Sequence, residues 1–105
     1  MNLVIRRIFG TALRPASAAR RSQKLALEQL RQSLHGALVD CSGMPADRLA
    51  YKINVARTAA DLWLLRSDLH QCISQAHSQN LAAERINALI PAFAGWLPAS
   101  QLRRI

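Results

Sequence analysis

From Ala46 to Ile90 the chain contains neither glycine nor proline. A stretch this long without the two residues that most readily break regular structure can reverse direction only where side chains cap a helix end. Within it, Leu62, Leu65, Leu69, Cys72 and Ala76 recur at a 3-4-3-4 spacing. That rhythm paints one stripe on an α-helix and is incompatible with the two-residue alternation of a half-buried strand. Leu27, Leu30, Leu34 and Ala37 repeat the pattern upstream, and Ala82, Ile86, Leu89 and Phe93 repeat it downstream. Ala and Leu, the commonest residues here, are strong helix formers, while β-branched residues are sparse. The fold class that follows is all-α.

The boundaries are marked by caps and breakers. A first helix is expected from Ser17 or Ser22 to Asp40, ended by the run Cys41-Ser42-Gly43-Met44-Pro45. Gly43 suits a positive φ and Pro45 suits the first turn of a second helix. Asp47 then sits where the helix dipole favours an acid, with Leu49, Ile53 and Ala56 facing inward. Thr58-Ala59-Ala60-Asp61 matches a capping box with Asp in place of Glu. Residues 46–77 are therefore either one long helix or two. Ser78-Gln79-Asn80 is the best interior break, because Asn tolerates left-handed geometry and both Ser and Asn cap helices. Pro91 should stop or kink the last helix near Leu89. Pro91 to Pro98 then forms an apolar, aromatic loop, and a short final turn carries Arg103 and Arg104. With 105 residues there is material for one domain. The expectation is a basic amphipathic arm over 1–15 and a single helical domain over 16–105, a small bundle of three to four helices with an aromatic C-terminal loop.

The formal charge is +8, and its distribution matters more than its size. Arg6, Arg7, Arg14, Arg20, Arg21 and Lys24 stand in the first 27 residues with no acid among them. The remainder holds eight basic and six acidic residues, a balance of only +2. Those six N-terminal bases are candidate contacts for a polyanion: a nucleic acid, an anionic membrane surface or an acidic protein. Val4, Ile5, Ile8, Phe9, Ala12 and Leu13 give the arm an apolar side. Acid-free, Arg- and Ser-containing composition over 1–27 also fits a mitochondrial presequence. Arg6-Arg7-Ile8-Phe9 resembles the core of a twin-arginine export signal, but Arg14 interrupts the place where an apolar h-region would lie. No segment reaches the roughly 18 apolar residues of a membrane span. Cys41 and Cys72 form no CxxC and no disulfide framework, which suits a reducing compartment. The expected location is cytoplasmic, or the mitochondrial matrix if 1–27 is a presequence.

Catalytic and metal chemistry find little in the linear sequence. His70 and His77 share a helix face, but a heptad separates them by about 10 Å along the axis, too far for one ion. There is no HExxH and no Cys/His pair at ligand spacing. Nothing in the sequence orients Cys41 or Cys72 toward a histidine, the acids are scattered singly, and the glycines form no phosphate-cradling loop. The expectation is no catalytic residue, no metal ligand, no cofactor and no enzyme. Phe93, Trp96 and Leu97 are instead candidate anchors for a protein partner, since large aromatics dominate binding hot spots. The alternative role for them is to plug the end of the bundle.

Residues 72–89 offer a second reading. Ala76 supplies a small residue, Asn80 follows four positions later, and Leu81, Ile86 and Leu89 fall at apolar positions. In these respects the segment resembles the helix-turn-helix family, with Gln75 and Gln79 where that family is apolar and Asn where it has a turn Gly. The resemblance implies a recognition helix from which Arg85 and Asn87 would read base edges. Two expectations stand together: a non-catalytic binding or regulatory protein, with a helical body for a protein partner and a basic arm for an anionic surface, or a small DNA-binding regulator.

Overall fold

The computed structural model describes residues 16–105, so the arm over 1–15, with Arg6, Arg7 and Arg14, lies outside the described residues. Its helices are α1 (Ala16–Ala37), α2 (Met44–Val55), α3 (Ala59–Leu64), α4 (Arg66–Ala76) and α5 (Gln79–Phe93), followed by a 3-10 turn at Ala99–Gln101. Only Leu65 separates α3 from α4, so the domain is built of four helical rods, and no strand occurs among the described residues. This is the all-α small domain that the stripes imply.

The chain between residues 46 and 77 divides at Thr58, as the two-helix alternative has it, and its second part is kinked at Leu65. It breaks after Val55, where Ala56 turns extended, and again at Leu65. The Thr58 cap forms at the first break, with the reciprocal bond of the box displaced by one residue, to Arg57. Thr58 Oγ1 accepts from the Asp61 amide at 3.0 Å, and the Asp61 carboxylate accepts from the Arg57 amide at 3.3 Å. At the second break Arg66 donates to the Trp63 carbonyl at 2.9 Å, supplying a partner at the end of α3. Its guanidinium also lies 5.0 Å from the Trp63 ring centre, within cation–π range.

Gly43 precedes α2 with φ +94°, as its sequence context suggests, and its carbonyl accepts from Asp47 at 3.0 Å. Ser78 caps α5, its hydroxyl accepting from the Leu81 amide at 3.1 Å. The turn therefore lies at His77-Ser78, and Asn80 is already helical. Pro91 does not stop α5 at Leu89; the helix runs on to Phe93. Pro91 lacks the N–H that would reach the Asn87 carbonyl one turn earlier, a cost confined to the last three residues of a helix about to end.

The core gathers the predicted stripes. Leu34 of α1, Ile53 of α2, Leu62 of α3, Leu69 and Ile73 of α4, and Ile86 and Phe93 of α5 are fully buried. α4 and α5 pack along one another as an αα-hairpin, and α1 crosses α5, α2 and α3. Ala76 is exposed because α4 ends there, and the kink at Leu65 leaves that residue half-buried. Two side chains fasten the C-terminal segment to this core. Trp63 Nε1 donates to the Gln101 carbonyl at 2.8 Å, and the Asn87 amide pairs with both the carbonyl and the amide of Ile105, at 3.0 and 2.9 Å.

Candidate functional site

A groove of about 700 Å³ runs between the N-terminal half of α1, the α2–α3 connection and the loop after α5. Its volume falls in the range of real ligand sites. Its basic rim is Arg20, Arg21 and Lys24 from α1 and Arg57 from the far side. Its floor is apolar: Leu27, Ala59, Ala60, Trp96 and Leu97. No acid is among the lining residues.

The local geometry explains why these side chains meet. Arg20, Lys24 and Leu27 are spaced four and three apart, so they follow one face of α1. The half of α1 beyond Leu27 packs on the bundle, whereas Arg20 to Leu25 are exposed. Across the groove, the Thr58 cap sets where α3 begins and so where Ala59 and Ala60 sit. The loop after α5 is held tight: the amides of Trp96 and Leu97 both donate to the Phe93 carbonyl, at 2.9 and 3.2 Å. Gly95 makes this turn with φ +92°, a conformation that disfavours any side chain.

The three expected aromatic-loop anchors separate. Trp96 and Leu97 line the groove, Trp96 being 38% exposed. Phe93 is not a surface residue. It is completely buried, with its ring centre 4.9 Å from that of Trp63 at a tilt of 50°. It belongs to the stripe of Ala82, Ile86 and Leu89, which carries it into the core. Of the six expected polyanion contacts, Arg20, Arg21 and Lys24 lie on the groove. Leu27 of the α1 stripe lies beside them, and Arg57 and Thr58 join without any linear sign of a shared site, because only tertiary packing brings the α2–α3 connection opposite α1.

The residues expected to read DNA bases are occupied within the fold. Arg85 grips Asp40, Nη1 reaching Oδ1 at 2.6 Å and Nη2 reaching Oδ2 at 2.7 Å, and Nη1 also donates to the Ala37 carbonyl at 2.9 Å. Asn87 is 9% exposed, with its amide turned to Ile105. The helix restarts at Gln79, ahead of the position where the helix-turn-helix pattern places its turn.

Asp40 is the centre of a second cluster. His77 Nε2 lies 3.2 Å from its Oδ2, and the Cys41 thiol lies 3.9 Å from its Oδ1. One ligand atom each from Asp40, Cys41 and His77 fits within 4.8 Å. The Arg85 guanidinium holds the Asp40 carboxyl well below the usual carboxylate range, chiefly through its hydrogen bonds. Burial pushes the Cys41 thiol up, and neighbouring Cys72 and Asp40 add to that effect. This is the reverse of an activated nucleophile, which needs a depressed pKa. The His70–Ser74–His77 face does not gather: His70 Nδ1 faces the Ser74 hydroxyl at 3.4 Å, while His77 turns to Asp40. None of the known protein families, characterised proteins or solved structures compared with the chain matches it.

Proposed function

We propose that this protein is a non-catalytic binding module whose groove between α1, α3 and the Trp96 loop holds an acidic, apolar segment of a protein partner. The observation that carries this reading is the convergence of four basic side chains and an exposed tryptophan on one concavity. Arg20, Arg21, Lys24 and Arg57 supply charge complementarity for carboxylates and steer encounter. Trp96 and Leu97, over a floor of Leu27 and Ala60, supply the desolvated contact that fixes affinity. An apolar floor favours a protein segment over duplex DNA, whose phosphates would meet only the rim. A concave site favours it over a lipid surface, which an amphipathic segment enters with a projecting apolar face.

The reading is tested by titrating isotope-labelled protein with short peptides alternating Glu or Asp with Leu or Phe. The Trp96 indole and the amides of Lys24, Thr58 and Ala60 should shift, while the buried Trp63 indole stays put. Trp96→Ala and a combined Arg20→Glu, Arg21→Glu, Lys24→Glu variant should each abolish the shifts with helicity intact. Absence of any shift, or equal shifts with a basic peptide of the same pattern, overturns the reading. Saturable binding of duplex DNA that competes with the peptide would move the function to nucleic acid.

A further inference from the structure

We propose that Asp40, Cys41 and His77 form a site for a borderline-soft divalent metal ion, zinc being the best match, at the end of the bundle where the α1–α2 and α4–α5 connections meet. The trio offers one carboxylate oxygen, one sulfur and one imidazole nitrogen, all within 4.8 Å of one another. A tetrahedral ion with bonds of about 2.0–2.3 Å holds its ligand atoms roughly 3.3–3.8 Å apart, so a pair at the 4.8 Å limit must close by about 1 Å. Small rotations of exposed or half-buried side chains supply the difference. Thiolate and imidazole together select zinc and its neighbours over magnesium or calcium, which prefer all-oxygen shells.

The surroundings suit such a site. Ligating carboxylates are normally held by an outer partner that fixes their direction. Arg85 does this for Asp40 through two short bonds, and is itself tethered to the Ala37 carbonyl. The carboxylate oxygens keep further lone pairs for a metal. Thiolate and carboxylate together offset the charge of the ion, and the guanidinium stays outside its shell. On binding, the Cys41 S–H bond breaks, a metal–sulfur bond forms, and the proton leaves to solvent. Three protein ligands leave the fourth tetrahedral position to water. Because Asp40 and Cys41 lie in one connection and His77 in the other, the ion would staple the α1–α2 connection to the α4–α5 connection.

Cobalt(II) is the probe for this site, since a cobalt–thiolate bond absorbs in the near ultraviolet and tetrahedral cobalt absorbs in the visible. Purified, chelator-treated protein should bind cobalt stoichiometrically with both signatures, and zinc should displace it while excess magnesium does not. Cys41→Ser should lose the thiolate band, and His77→Gln should weaken binding by tenfold or more; circular dichroism checks that both variants fold. Zinc should raise the midpoint of thermal unfolding in the unaltered protein and not in His77→Gln. No stoichiometric binding, or a thiolate band that survives Cys41→Ser, overturns the proposal. So does unaltered affinity in a folded His77→Gln variant.

Discussion

Arg31 Nη1 stands 2.6 Å from the carbonyl oxygen of Ile53, the residue that carries α2 into the core. The same nitrogen lies 3.1 Å from the Asn54 carbonyl and 2.8 Å from that of Ala56, while Nε faces the Glu28 carboxylate at 2.9 Å. A single side chain of α1 thus covers the carbonyls left open where α2 ends. Charged donors to such groups contribute more than neutral ones. Arg31→Ala should lower the free energy of unfolding by about 2–3 kcal/mol, read from the denaturant midpoint at unchanged slope. Arg31→Lys should recover only part of this, since an ammonium cannot hold the carbonyls and Glu28 in one planar fork.

Trp63 and Phe93 should respond differently to truncation, although their rings touch. Phe93→Ala empties a completely buried position and should cost about 3–5 kcal/mol, a large share of the stability of a typical small domain. Trp63→Phe keeps much of the packing and removes the bond to Gln101. It should cost about 1–3 kcal/mol and loosen the 3-10 turn at Ala99–Gln101. Trp96→Ala serves as the contrast, with thermal unfolding close to that of the unaltered protein. A collapse in that variant would show that Trp96 acts as core.

Gly43 adopts φ +94° and ψ −178°, a region essentially restricted to glycine. A Cβ there would meet only Pro45 Cδ at 3.8 Å, an ordinary contact. Any loss in Gly43→Ala is therefore conformational and not steric. It should amount to about 1–3 kcal/mol, measured by denaturant unfolding. Replacing Gly36, which is helical and faces open space, should instead be neutral or stabilising as Ala, since Gly in a helix costs about 1 kcal/mol relative to Ala.

What could be read in the sequence was whatever depends on local order. Thr58 and Asp61 cap α3 as their spacing implies, and the stripe through Leu62, Leu69 and Cys72 does face the core. The kink at Leu65 was not legible, because no breaker marks it and Arg66 compensates it through a carbonyl. Phe93 was legible in part: its helical register with Ala82, Ile86 and Leu89 pointed inward, while its apolar neighbours Trp96 and Leu97 suggested a surface loop. The groove and the Asp40–Cys41–His77 cluster were not legible, because each joins segments far apart in the chain. Spacing rules test ligands along one element, and His77 finds Asp40 across two.

Asn87 makes the last prediction, and it concerns the C-terminal segment. Its side-chain nitrogen donates to the Ile105 carbonyl and its side-chain oxygen accepts from the Ile105 amide, as a neighbouring strand would. Asn87→Leu keeps a side chain branched at the same carbon, though a larger one, and removes both bonds. The Ile105 groups can then turn to water, so the global cost should be modest, about 1–2 kcal/mol. The local effect should be larger. The Ile105 amide should lose its protection from hydrogen exchange, while Leu69, Ile73 and Ile86 keep theirs. Asn87→Asp should fall between, because a carboxylate still accepts from the Ile105 amide but repels its carbonyl. Unaltered exchange at Ile105 in Asn87→Leu would mean that Leu102, buried in the core, and the Trp63–Gln101 bond hold the segment without Asn87.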